Sequence, residues 1–192
     1  MIRFLSTRPF FYKATPRLLH VICTALFAVL LAFTAIPAHA ASDPQEYRLH
    51  FYHTHTGERL DVVYRKGNAY IPSALKQLDE YLGDYRTGAV RHYDPRLFDL
   101  LHDLLSSVGE PDAEIDVICG YRTPRTNKFL RHHSHGVAEH SLHMQAMAID
   151  IRIPGVDTSQ LRDSALTLRR GGVGYYKSSD FVHVDVGRVR RW

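Results

Sequence analysis

Cysteine is nearly absent from this 192-residue chain, which has two, Cys23 and Cys119. Cys23 lies in a segment expected to be removed, so Cys119 is left alone and no intramolecular disulfide can form. Net charge is the second absence. The chain carries 24 Lys+Arg against 20 Asp+Glu, and four of the basic residues but none of the acidic ones fall in the first forty positions. The remainder balances at 20 against 20, which removes the electrostatic case for nucleic-acid binding. No internal repeat and no low-complexity tract is visible. Arg3 and Arg8 are not adjacent, so there is no twin-arginine export signal.

The front of the chain has the pattern of a targeting segment. Arg3, Arg8, Lys13 and Arg17 make a basic start, Val21 to Ile36 is almost wholly apolar, and Pro37-Ala38-His39-Ala40 ends in a small-x-small pattern. This predicts a secretory signal peptide over residues 1–40, cleavage after Ala40, and a periplasmic product. The apolar run of 16 residues is short for a spanning helix, so no membrane association is expected after cleavage. Residues 41–192 are then one domain, long enough to bury a core.

Within that domain, Tyr47 to His53 alternates as a strand, Thr54 to Glu58 turns, and Leu60 to Tyr64 returns, predicting a hairpin. Ala74, Leu75, Leu78, Tyr81 and Leu82 recur at helical spacing behind Pro72. Asp94-Pro95 reads as a cap with proline at the first helical position, ahead of a helix whose apolar face carries Leu97, Leu101, Leu104 and Leu105. Ile115 to Cys119 is a short strand, Thr126 to His133 a short helix, and Met147 to Ile153 a central strand. A helix runs from Thr158 through Arg169 and is stopped by Gly171-Gly172. Gly174 to Tyr176 and Phe181 to Val186 form a last hairpin, with one of Tyr175 and Tyr176 expected to face a cleft and the other the core. The class is α+β, with a small antiparallel sheet carrying the site and helices at its flanks.

The chemistry concentrates in Ser141 to Asp150. His143 and Asp150 stand seven residues apart, with a small-residue turn between them and an alternating strand around Asp150. His183 follows in a second strand-like run. Two imidazoles and one carboxylate make a three-ligand set with one tetrahedral position open, the usual way of holding catalytic zinc.

Gly120-Tyr121-Arg122-Thr123-Pro124, Ser141-Leu142-His143 with Asp150, and Phe181-Val182-His183-Val184-Asp185 together resemble the signature of the zinc D-alanyl-D-alanine peptidases, which share the Hedgehog/DD-peptidase fold. The run from Leu161 through Arg170 to Tyr176, and on to Arg191-Trp192, is more similar to the YcbK-like murein endopeptidases. The resemblance implies that His143, Asp150 and His183 ligate Zn2+, and that Arg122 holds the substrate carbonyl or its oxyanion. The implied substrate is peptidoglycan, cut at the crosslinks between stem peptides. A D-alanyl-D-alanine carboxypeptidase and a non-catalytic zinc-dependent cell-wall binding module are the alternatives.

The general base has two candidates. Some relatives place an acid three residues before the last histidine, here Asp180, whereas strand parity puts Asp185 on the same face as His183. Either also reads structurally, Asp180 as a turn residue and Asp185 as an orienter of a ligand. This chain departs from those peptidases at Ala146, where they commonly have glycine. His132, His133, His135 and His140 read as a rim of the cleft rather than a second metal site, and Cys119 as a small apolar residue rather than a nucleophile.

Overall fold

The structure, a computed structural model, describes residues 43–133 and 136–192. The expected signal peptide and His135 lie outside the described residues. Among the described residues no helix is long and apolar enough to cross a membrane.

One eight-stranded sheet organises the domain, in the order β3-β2-β1-β4-β5-β7-β6-β8. The hairpin is β1 (Glu46–His53) and β2 (Arg59–Lys66), extended by the two-residue β3 (Ala69–Tyr70). Helices α1 (Pro72–Tyr81) and α2 (Arg96–Ser107) follow. Then come β4 (Glu114–Cys119), α3 (Pro124–His133), β5 (Ala148–Arg152), α4 (Thr158–Leu168), β6 (Gly172–Tyr176), β7 (Phe181–Asp185) and β8 (Arg190–Arg191). The α+β class holds. The small antiparallel sheet does not. The sheet has eight strands and is mixed, because β1 pairs in parallel with β4 and β6 with β8. A parallel pair needs a long crossover, and the segment containing α1 and α2 provides it.

The helices cover the sheet with the apolar positions read from their spacing, joined by Phe98, which the spacing did not single out. Leu78 and Leu82 from the first, and Leu97, Phe98, Leu101, Leu104 and Leu105 from the second, are almost fully buried. They form one core with Leu49, Phe51 and Tyr64 of the hairpin and Ile115 and Val117 of β4. Each such side chain contributes on the order of 1.5–3 kcal/mol by leaving water. Proline at the start of the second helix is displaced by one from expectation. Pro95 is the residue before the first turn, and Asp94 Oδ1 accepts a hydrogen bond from Arg96 N at 3.1 Å.

Helix α4 ends differently from the sequence reading. Arg169 takes the left-handed conformation at φ 52° and closes it. Gly171 and Gly172 are glycines for another reason: a Cβ at either would run into Asp185, its backbone oxygen in one case and its carboxylate in the other. These glycines let β6 close down on β7 beneath the site.

Candidate metal centre

Three adjacent strands bring the site together. In the β5 register Asp150 lies opposite Cys119 of β4 on one side and His183 of β7 on the other. A bulge between Val117 and Cys119 creates the first pairing, a device common beside active sites because it re-aims a side chain. His143 comes from the short 3-10 turn Leu142–Gln145 just before β5, whose start is capped by Ser141 Oγ accepting from His143 N at 3.3 Å.

The turn closes through Ala146, which sits in the left-handed region at φ 53° and ψ 44°. That conformation costs a non-glycine residue roughly 1–2 kcal/mol. The Ala146 methyl is fully buried, which recovers about 0.8 kcal/mol, so alanine is tolerated where a glycine would sit without strain.

His143 Nε2, Asp150 Oδ1 and His183 Nδ1 form a triangle with sides of 3.1, 2.8 and 3.0 Å. A four-coordinate ion with bonds of about 2.0–2.2 Å sets its donors roughly 3.3–3.5 Å apart, so the triangle fits such an ion with slight expansion. The far nitrogen of each ring is already committed. His143 Nδ1 donates to the Gly120 carbonyl at 2.8 Å, and His183 Nε2 donates to Asp185 Oδ2 at 3.1 Å. These bonds fix the tautomers and turn both lone pairs into the triangle. Cys119 Sγ also lies within 4.8 Å of donor atoms of His143 and Asp150. His183 makes the better third donor, because its Nδ1 lies at 3.0 and 2.8 Å from the other two donor atoms; burial pushes the Cys119 thiol pKa up to about 12.

The electrostatics follow from enclosure. Burial lowers the pKa of His143 against the pull of Asp150. Burial opposes the charge on Asp150 too, but the two imidazoles outweigh it and hold the carboxylate well below its usual range. Burial likewise opposes charge on His183, yet Asp150 and Asp185 outweigh it and raise its pKa.

The triangle opens into a cleft of about 410 Å³. Arg122 lines it, is itself buried, and donates from Nη2 to Ser141 Oγ at 3.3 Å, while among the described residues its Nε has no partner. A cation enclosed without a carboxylate is costly and well placed to receive a polarised oxygen.

A family model described as peptidoglycan L,D-endopeptidase MepK matches residues 39–192. The chain belongs to this family. Among curated relatives, the probable peptidoglycan L,D-endopeptidase MepK of Haemophilus influenzae is 44% identical over 151 residues, covering 79% of this chain and 81% of the relative. The peptidoglycan L,D-endopeptidase MepK of Escherichia coli K12 is 39% identical over 171 residues, covering 88% and 93%.

The two carboxylates considered as the base of this family member lie apart from the triangle. Asp185 is fully buried. Its Oδ1 accepts from Gly172 N, Gly187 N and Arg190 Nη1 at 2.9, 2.9 and 3.1 Å, and its Oδ2 accepts from His183 Nε2 and Arg190 Nη2 at 3.1 and 2.7 Å. Five donors leave it no free oxygen. Asp180 is exposed, holds a left-handed turn at φ 53°, accepts from Thr158 Oγ1 at 3.2 Å, and is not part of the cleft wall. His140 lines the cleft. His132 and His133 sit exposed at the end of α3, with His133 Nδ1 bonded to the Phe129 carbonyl. Tyr176 faces the cleft and Tyr175 packs against the core. The spacing arguments missed several wall residues, Arg86, Arg190 and Trp192 among them. The Trp192 ring stands 5.1 Å from His183 and its Nε1 donates to Tyr176 Oη at 3.0 Å.

Proposed function

We propose that this chain is an exported zinc-dependent peptidoglycan endopeptidase that hydrolyses peptide crosslinks between stem peptides, on a Hedgehog/DD-peptidase-type fold. The observation that carries the reading is the triangle of three donor atoms, with both imidazole rings locked from behind. The family match and the endopeptidase names of the relatives support an endopeptidase over a carboxypeptidase or a binding module.

His143, Asp150 and His183 would hold the ion. Zinc, when bound, supplies a Lewis acid and lowers the pKa of a water to about 7. Asp185 acts on the reaction through His183 by holding its Nε2 proton, which keeps Nδ1 free for coordination. Arg122 faces the cleft with an unsatisfied N–H and stabilises negative charge as it develops on the substrate carbonyl oxygen. Ser141 couples the two, since one hydroxyl accepts from both the Arg122 guanidinium and the His143 backbone. Trp192, beside His183, helps exclude water.

The test uses the full chain without residues 1–40 and purified crosslinked muropeptides. Exhaustive chelation should abolish product release, and about one equivalent of zinc should restore it. His143→Ala, Asp150→Ala and His183→Ala should each lose zinc and activity together. Full activity after chelation would overturn the reading.

A further inference from the structure

The cleft carries an imidazole and a guanidinium that the metal centre does not use; burial and the Arg86 charge lower the pKa of the imidazole, His55, so the charge lies on Arg86. The turn after β1 brings His55 to its wall, and the loop after α1 brings Arg86. The Tyr85 ring stacks on His55 with centroids 4.4 Å apart and planes 21° apart, and the Arg86 guanidinium lies over the same ring at 4.3 Å. Behind them the buried His53 meets Tyr85 edge-on at 5.6 Å. Stacking on an aromatic face fixes the plane of a guanidinium while spending none of its N–H donors.

Those donors are open. Among the described residues, the one hydrogen bond of Arg86 is its backbone N–H to Asp84 Oδ1 at 3.1 Å. Arg190, by contrast, is bound to Asp185 through both terminal nitrogens. Among the described residues, the only carboxylate side chain lining the cleft is Asp150, which two imidazoles already engage. The wall therefore has an excess of positive charge although the domain as a whole has none.

The position of Arg86 is built rather than incidental. Asp84 is buried, and its Oδ2 accepts from both Thr123 N and Thr123 Oγ1 at 2.9 Å. One carboxylate thus ties the Arg86 loop to the residue that follows Arg122. Burial works against the charge of Asp84, but hydrogen bonds from Thr126, Thr123 and Arg86 outweigh it and lower its pKa, so the anchor stays ionised across the working range of a protein.

We propose that Arg86, stacked on Tyr85 and flanked by His55, is a specificity-determining residue that binds a free carboxylate of the peptide substrate beside the scissile bond. Arginine meets a carboxylate through paired N–H donors, and Arg122 remains free for the carbonyl. The assignment rests on the endopeptidase reading and deepens it. It commits the substrate to a class, peptides whose carboxylates near the crosslink are free rather than amidated.

The experiment compares two crosslinked peptides that differ only in whether those carboxylates are free or amidated, using the zinc-loaded protein. Wild type should prefer the free acid by about ten- to a hundredfold in kcat/KM, as expected for a charge-assisted hydrogen-bonded pair. Arg86→Ala should collapse that ratio towards one through a higher KM on the free acid, with zinc content as in wild type. Arg86→Lys, which keeps the charge but not the fork, should keep part of the preference. Equal rates on both peptides in wild type would overturn the assignment, as would an equal loss on both in Arg86→Ala. Cleavage of neither peptide by wild type would overturn the endopeptidase reading itself.

Discussion

Replacing Asp185 by asparagine separates a positioning role from that of a base. The change keeps shape and removes charge. An asparagine oxygen can still accept from Gly172 and Gly187, but its NH2 group would face Arg190 Nη2 and His183 Nε2, donors that now contact Oδ2 at 2.7 and 3.1 Å. Donors then oppose donors. His183 relieves this by moving its proton to Nδ1, the atom that points into the triangle. Loss of such an outer contact typically costs ten- to a hundredfold in metal affinity. Breaking a buried ion pair costs about 3–5 kcal/mol. The lower end applies, because the Arg190 side chain is 29% exposed and solvent can recover part of its charge. A loss of about 3 kcal/mol corresponds to roughly 6–12 °C in Tm for a domain of this size.

The gap should also depend on pH. Burial opposes the charge of Asp185, but hydrogen bonds from His183, Arg190, Gly172 and Gly187 outweigh it and put the folded pKa below the ordinary 3.8. Its contribution is therefore complete above that value and is lost as the pH falls towards the folded pKa, so the variant and wild type should converge in acid. Zinc competition with a chromophoric chelator and urea unfolding of the chelated proteins measure both effects. Asp180→Asn serves as the comparison and should change each by little. If Asp185→Asn binds zinc as tightly as wild type, unfolds at the same urea concentration and has lost turnover, Asp185 is a base and the positioning argument is wrong.

Arg122→Ala should lower turnover by about 10²–10³-fold, the usual cost of one oxyanion contact, with zinc bound and the fold intact. Wild-type turnover in that variant would return Arg122 to a structural role with Ser141. The metal-stripped protein should alkylate slowly at Cys119, because a thiol pushed up to about 12 is roughly one part in 10⁴ thiolate at pH 8. The rate should keep rising with pH well past 9, and a plateau near 9 would show an ordinary, unburied thiol.

The strands and helices were legible because their periods of two and of 3.6 are written in apolar spacing. The two hairpins were legible as well, but the pairing of strands distant in the chain was not. Alternation marks β1 as half-buried but says nothing of its parallel partner 64 residues on (Phe51 against Ile115, Tyr52 against Asp116). The trio of His143, Asp150 and His183 could be picked out because a short turn and two strands hold it. Strand parity correctly put Asp185 beside His183, but parity cannot tell which ring nitrogen it meets, and it meets the one facing away from the triangle. Gly171-Gly172 looked like a helix stop because the close approach of Asp185 becomes visible only once β6 lies against β7. Arg86 passed unread because nothing in Asp84-Tyr85-Arg86 announces that the turn after β1 will bring His55 onto the Tyr85 ring beneath it.

The pairing of Asp150 with His183 across β5 and β7 has a consequence for how the chain reaches its final form. The donors lie 40 residues apart, so an ion cannot gather all three before the two strands have zipped. Side chains alternate along a strand, and a slip of β7 by one residue would present Val182 or Val184 to Asp150 instead of an imidazole. Only the correctly aligned ladder offers three donors. An ion of the proposed kind would therefore stabilise one alignment over its neighbours by the difference between three contacts and two, acting as a proofreader of strand alignment where the described residues hold no disulfide to perform that task.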